Sequence, residues 1–534
     1  MKKILLVVAC VLPMLANAQY TFDALQYSSS ELRGTSRFVS MGGAFSALGG
    51  DISTLNQNPG GIGVYRSSDI GFSFGLDMNS SRPEGVTATN QTKVVVNNVG
   101  YVGSLKIGST LKYFNWGFSY TRNNTFNRRY MGGLLGIPTS ITNFMADLAT
   151  SEGVEPSKLY MNHEYDYSPF SNTSYAYNVL GYNCGVIIPT GGTNYTGLGL
   201  NGTSGYAEYE VDEWGETDQY NISLGGNVQD VVYWGMSLGI TSLDYHYYNY
   251  YGEQLENTEV LDDPGDIATI VKGNTTFGLV NNSRTTGNGY NFKLGLIFKP
   301  VNALRIGLAF HTPTFYDMKD VWDANMSAEF YGDEIEKGSY TKNFSSAVNE
   351  YRYKIRTPWR FMGGIAGVIG SKAIISADYE YVDNESMKIL DNAGRVEPGS
   401  EEEMKTYLKP THIMRVGAEY RINNSWSLRA GYQHQTSQVE KDVEDNKLFV
   451  TTSGYNPSYK FDKSQDYITC GVGFHYRSFY LDLAYLHRTR KSEYHAFSPI
   501  EYVNESGNRA IDEGIYTAVK DNSNRLSCTI GFRF

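Results

Sequence analysis

A chain of 534 residues with 56 Gly, 43 Tyr and 25 Phe but only 19% charged residues suits many short strands with aromatic belts. Its formal net charge of −11 excludes a basic face for phosphates, so no nucleic-acid partner is expected. Beyond the N-terminus no run approaches the roughly 18 consecutive apolar residues of a membrane-spanning helix, which excludes an α-helical membrane protein.

The chain opens with positive Met1-Lys2-Lys3, an apolar run from Ile4 to Leu15, and small Ala16-Asn17-Ala18. This is the layout of a secretory signal over 1–18, with Gln19 starting the mature protein. Reading Cys10 as a lipidated cysteine would leave an apolar core of only about six residues, too short for the purpose. Residues 19–68 do not alternate, and their glycine pairs and Asn-Pro step permit close backbone approach and a fixed turn. They predict a compact domain ahead of the strands, folded as a plug inside a lumen. Its candidate residues are Phe38, Met41, Gly42, Gly43, Phe45, Asp51, Asn58, Pro59 and Gly60.

Alternation of apolar and polar residues starts at 69–78 and fills the rest of the chain, 69–534. It recurs at 97–107, 113–122, 216–226, 232–243, 288–299, 303–312, 353–367, 373–382, 411–421, 425–434, 466–476, 479–488 and 525–534. These fourteen candidates make the even number that a single-chain barrel with both ends in the periplasm requires. The segment 353–367 is the least regular, because Pro358 interrupts it. Short connections (108–112, 227–231, 300–302, 368–372, 422–424, 477–478) predict periplasmic turns. Long polar stretches (123–215, 244–286, 313–351, 384–410, 435–465, 489–523) predict extracellular loops. A soluble sandwich also alternates. A secreted chain whose last strand carries Leu526, Cys528, Ile530, Phe532 and Phe534 on one face resembles instead the C-terminal signal read by outer-membrane insertion machinery.

No C-x-x-C spacing links Cys184, Cys470 and Cys528, so neither a disulfide framework nor a zinc site is predicted. Ser140 can cap a loop helix whose Ile141, Phe144, Met145 and Leu148 follow helical spacing, giving either a ligand-gathering groove or packing on the loop's own core. Strand parity points Arg305, His311, Asp378, Glu380, Arg415, Glu419, Arg429, Gln433, His475, Asp482, Arg525 and Arg533 into the lumen. Salt bridges that fill the bore and seat the plug are the plainer reading, with one or two arginines free to pair with a ligand carboxylate. The histidines, including His475 and His487, have no serine in a nucleophile setting, so no catalytic residue and no enzyme is predicted. Tyr245-His246-Tyr247-Tyr248 and Tyr494-His495 leave a haem-binding receptor as an alternative.

Gly42-Gly43-Ala44-Phe45, Asp51 and Asn58-Pro59 resemble the hatch motif of the FadL/TodX family, with Gly60 where that family usually has Ala. The resemblance continues in Asn291 to Leu296, Leu304 to Leu308, Thr357-Pro358-Trp359-Arg360, Asp378 to Tyr381, Arg415 to Arg421, Leu428 to Tyr432 and Leu481 to Tyr485. It implies an all-β, fourteen-stranded antiparallel transmembrane barrel with an N-terminal hatch in its lumen, set among the lipids of a bacterial outer membrane. It also implies passive uptake of hydrophobic small molecules such as long-chain fatty acids or aromatics, without cofactor or covalent step. A PorV-like component of a type IX secretion system shares that fold and hatch and stands as a second reading.

Overall fold

In hydrocarbon each unpaired backbone N–H or C=O costs several kcal/mol, roughly, so a sheet there must close on itself. The computed structural model, which describes residues 21–161, 169–171, 175–198, 205–262, 269–370, 372–503, 509–512 and 514–534, shows that closure. The predicted signal peptide, 1–18, and the cleavage site before Gln19 lie outside the described residues. Fourteen strands form the wall: β1 Asp69–Pro83, β2 Thr89–Lys106, β3 Leu111–Thr125, β4 Gly205–Val228, β5 Val232–Leu261, β6 Ile270–Val301 and β7 Leu304–His311, continuing as β8 Trp359–Ile369, β9 Ala373–Asp383, β10 Thr411–Arg421, β11 Trp426–Gln435, β12 Tyr459–Tyr476, β13 Phe479–His495 and β14 Tyr516–Arg533. Each runs antiparallel to its neighbour, and β14 returns to β1 from Asp69↔Arg533 to Pro83↔Val519. Outward side chains such as Phe72, Leu296, Ile365, Leu428 and Ile530 are exposed to lipid, while their neighbours along the strand are buried.

The segment 353–367 is not one strand. Asn349–Arg356 pairs with Phe315–Tyr331 above the wall, and the wall strand is β8, with Thr357 and Pro358 between them. Proline has no N–H to give a ladder, so the chain changes partners there.

Much of what the sequence predicts as loop is wall. β5 and β6 have 30 and 32 residues, where about 9–11 cross a membrane. Their upper halves keep a two-residue period, with Leu243, Tyr245, Tyr247, Asn249 and Tyr251 buried inward. Helices Ile141–Glu152 and Ala176–Cys184 and the hairpin Ile187–Gly191 with Asn194–Gly197 fill this raised wall as a cap. Phe22, Leu25 and Tyr27 of the N-terminal helix Thr21–Ser28 join the same apolar cluster.

Ser140 caps the helix Ile141–Glu152 by accepting from the Thr142 N–H, and Gly153 ends it at φ +63°. Ile141, Phe144, Met145 and Leu148 are all buried. Phe144 packs on Tyr177 and Phe497, with ring centroids 6.1 and 5.5 Å away. Of the two readings open for these four residues, their burial supports packing on the cap's own core.

Glu253 on β5 ties this helix down above the membrane. Its carboxylate accepts from the Ile141 N–H (2.8 Å), the Ser140 hydroxyl (2.5 Å) and the Tyr251 hydroxyl (2.8 Å). Burial pushes its pKa from 4.5 up to about 7, against the pull of those three donors. The fold thus holds this proton more tightly than the unfolded chain does, so the contribution is full below pH 4.5 and is lost as pH rises through 7. Hydrogen exchange in the helix Ile141–Glu152 is expected to be slower at acid than at alkaline pH after correction for intrinsic rates, and Glu253→Gln to flatten that difference. Equal pH dependence in the two proteins would contradict this account.

Candidate functional site

Of the plug expected at 19–68, the helix Thr21–Ser28 packs in the cap, and residues 29–68 close the bore, lying against inward glycines of the wall. A Cβ on Gly307 would sit on the Ser46 carbonyl, one on Gly295 on the Asn58 side chain, one on Gly417 on the Met41 carbonyl, and one on Gly431 on the Gly42 nitrogen. Close backbone approach on several strands seats this segment. Gly42 and Gly43 take φ of +62° and +73°, open to glycine without strain. Asp51 accepts from the Thr35 hydroxyl at 2.8 Å and the Ser53 N–H at 2.9 Å. Asn58 accepts from the Gly60 N–H at 3.0 Å, and Pro59 opens the turn Pro59–Val64. Phe38 and Phe45 pack on each other at 5.4 Å. Gly60 lies so near β6 that a Cβ would stand 2.8 Å from the Gly295 carbonyl carbon. The departure from the family's usual Ala therefore gives a closer seat.

The lumen residues read from parity face inward, and several of them bond the plug directly. Asp378 accepts from the Ser46 N–H (2.7 Å), Arg305 donates to the Leu48 carbonyl (2.5 Å), and His311 Nε2 bonds the Gln57 carbonyl (2.7 Å). Arg37 of the plug pairs with Glu419 (2.9 Å), Glu419 with Arg429 (2.7 Å) and Arg429 with Asp482 (2.5 Å). Arg415 pairs with Glu380 (2.5 Å) and donates to Gln433 (3.0 Å). Arg525 reaches Glu31 (2.8 Å), and Arg533 pairs with Asp69 (3.1 Å). His475 stacks on Tyr480 at 5.9 Å.

Sequence reasoning missed Arg33 and the gap it covers. The β2–β3 ladder runs from Lys106↔Tyr113 up to Asn98↔Thr121 and stops. Above that, β2 pairs with β1 alone, while β3 continues on β4. A bulge against β1 at Ser73/Phe74 leaves Asn97 as an extra residue, so Asn97 and Asn98 both turn inward. Arg33 bridges the gap, donating to Asp77 on β1 (2.5 Å), Asn97 on β2 (3.0 Å) and Thr125 on β3 (2.7 Å), and pairing with Glu31 (2.8 Å). Below the gap the ladder is regular, Gly117 pairing with Val102 and Ser223.

Two cavities flank the plug. One, of about 130 Å³, lies toward the cap between Leu32, Phe38, Gln57, Lys293, Tyr316 and Met362. The other, of about 280 Å³, lies toward the periplasmic turns between Arg37, Asp51, Arg421, His475 and Tyr480. In the upper one, Lys293 donates to the Asn56 carbonyl (2.9 Å) and side-chain oxygen (2.5 Å). The Tyr-His runs are no single pocket. Tyr245 and Tyr247 point inward, His246 stacks outside on Trp214 at 4.9 Å, and Tyr494 and His495 are buried in the cap cluster's wall.

A closed antiparallel wall with a lipid-exposed apolar band and a bore filled by its own N-terminal segment defines an outer-membrane barrel of the plugged kind. Residues 217–452 match the model of the family described as outer membrane protein transport protein (OMPP1/FadL/TodX). The FadL/TodX resemblance read from the residues is thus borne out over that stretch. Among solved structures the chain is similar to a Pseudomonas aeruginosa FadL homologue, at 12% identity over 95% of this chain and 99% of that one, with a TM-score of 0.48. For the toluene transporter TodX of P. putida the values are 13%, 94%, 99% and 0.46. For the toluene transporter TbuX of Ralstonia pickettii they are 14%, 94%, 99% and 0.47. No curated protein matches the chain by sequence.

Gly307→Val forces the Ser46 carbonyl off the wall without touching the lipid face. Liposomes holding this variant are expected to leak small sugars severalfold faster than those with the parent protein, with the barrel still folded by unheated gel mobility. Unchanged leakage would mean the plug is not what closes the bore.

Proposed function

We propose that this outer-membrane barrel carries hydrophobic small molecules, of the size of fatty acids or monoaromatics, inward without energy input. The family match supports the transport class, whose described function is transport rather than catalysis. The observation that carries the route is the open seam between β2 and β3. It begins level with Ser73, where β1 faces Thr529 in mid-wall, and its outer lip presents Val94 and Val96, the first 78% exposed.

The bore itself is polar and crossed by ion pairs, so an apolar solute pushed through it would stay in contact with water and charge. Leaving sideways keeps that surface in hydrocarbon, at about 25 cal/mol for each Å² spared from water. In this reading ligand gathers at the cap and reaches the small upper cavity of about 130 Å³, where Leu32, Phe38, Tyr316 and Met362 offer it an apolar side. It leaves through the seam as Arg33 swings off Asn97 and Thr125. Residues 29–68 act as the hatch, and Phe534, at the end of the closing strand, is the residue proposed to be read by the insertion machinery.

Arg33→Gln removes the charge that joins three strands, leaving Asp77 and Glu31 with one cation fewer, a change of about 3–5 kcal/mol when a buried pair is broken. Cells relying on this barrel are expected to take up labelled toluene or oleate faster with the variant than with the parent, and not at all without the barrel. Mass spectrometry of extracts from the purified protein should find an apolar small molecule. Uptake independent of the barrel, with only partner proteins co-purifying, would favour the secretion-system reading.

A further inference from the structure

From the outer face of β13, β14 and β1 we infer a binding site for one phosphorylated glycolipid of the outer leaflet. The three strands are in continuous register, so their outward residues form rungs. Tyr485, Leu526 and Leu76 share one rung, and His487, Asn524 and Met78 the next. Thr489, Asn522 and Ser80 follow, and then Lys491, Lys520 and Arg82. Polarity thus rises step by step away from the membrane and ends in three exposed cations side by side.

Like charges placed directly opposite across a sheet destabilise it, and this chain is acidic overall, at −11. A row of three in register is therefore a feature that an anion would complete. Among the described residues no carboxylate lies within ion-pair distance of Lys491, Lys520 or Arg82. The acids around the row are engaged or lie one rung further out. Asp466 on β12 accepts from Tyr432 (2.5 Å) and His434 (2.8 Å), Glu493 pairs with Lys463 (2.5 Å), and Glu84 follows Arg82 at the strand end.

The height fits a head group. About 9–11 residues of tilted strand cross the hydrocarbon; counted from Phe479 at the periplasmic rim, they end near His487 and Thr489, which leaves Lys491 in the head-group layer. Below the row, on the same strands and the adjoining β12, lies an apolar groove of about 830 Å³ lined by Leu76, Cys470, Val472, Leu483, Leu526 and Cys528. The two thiols are shorter than their Leu and Ile neighbours and leave the hollow. Lipid tails are as apolar as leucine, so an acyl chain gains fit there and little hydrophobic energy. Selection falls to the cations acting on phosphate, with the amide and hydroxyl rungs between them available to sugar hydroxyls. Of the seam's lip residues the groove touches Val94 alone, and the cation row stands on β13, β14 and β1, away from the passage of any solute.

The test is native mass spectrometry of the purified full-length barrel, offered a bis-phosphorylated outer-leaflet glycolipid, the same glycolipid without phosphates, or phosphatidylglycerol. We expect one bis-phosphorylated glycolipid retained per barrel, shed as salt is raised, with both other lipids held at least tenfold more weakly. The triple variant Arg82→Gln/Lys491→Gln/Lys520→Gln should lose about 100-fold in retention, each cation near an anionic surface counting for roughly a factor of five. Cys470→Trp, which fills the groove and leaves the cations in place, should lose retention too, and unheated gel mobility confirms that both variants fold. Equal retention of all three lipids by the parent barrel overturns the proposal without any variant, and so does a triple variant that holds the glycolipid as the parent does.

Discussion

Hydrocarbon offers no hydrogen bonds, so the strand ladder has to be unbroken wherever it faces lipid. Thirteen of the neighbour pairings in this wall meet that demand along their lipid-facing length, and β14 on β1 removes the last edge. Only β2 and β3 part within the band. There side chains stand in for the ladder: Arg33 reaches both lips and the strand beyond, and Lys93 reaches Asn127. A gap is tolerable because a charged, hydrogen-bonded patch from the plug backs it. The plug and the wall defect thus depend on each other.

The same dependence explains why so many ionisable side chains are buried in the bore. A lone charge there would be costly, and removing one partner of a buried pair is strongly destabilising, whereas a matched set breaks even at best. The charges are shared out accordingly: Glu31 serves Arg33, Arg488 and Arg525, while Glu419 serves Arg37 and Arg429. Such a network adds little net stability, but it fixes where the plug sits. The glycines opposite Ser46, Asn58, Met41 and Gly42 do the remaining positioning by excluding any other depth of insertion. Burial of Phe38, Met41, Phe45 and Leu48 against Tyr467 and Leu486 supplies the apolar share.

How much of this was legible follows from which rule each region obeys. In the lipid band one face must be apolar, so alternation located the wall strands and gave the direction of Asp378, Glu419 and Arg429 correctly. Where the strands leave the band the rule lapses: β5 continues with Tyr245, Tyr247 and Asn249 inward, and its polar outer face reads as loop. Pro358 was visible as an interruption, but sequence alone does not tell a break within a strand from a change of partner. The stripe of Ile141, Phe144, Met145 and Leu148 announced burial without saying against what. Arg33 was hidden altogether, because it stands in a segment with no period and its partners come from three strands apart in sequence.

The raised wall bears on the proposed transport route. Had the strands ended at the membrane surface, the upper cavity would open to water and an apolar solute would have little reason to remain in it. Instead β4, β5 and β6 carry the wall far above the band, and the cap they surround shares one apolar cluster with the N-terminal helix. That helix connects within a few residues to Glu31 and Arg33, so a disturbance of the cap reaches the seam along a short covalent path. In the proposed route, a solute that loosened the packing of Phe22, Leu25 and Tyr27 would pull on the segment that carries Arg33, and one that left the cap intact would find the seam shut. In that route coupling of entry to exit would need no energy source, only the short stretch of chain that joins the buried helix to the Arg33 bridge.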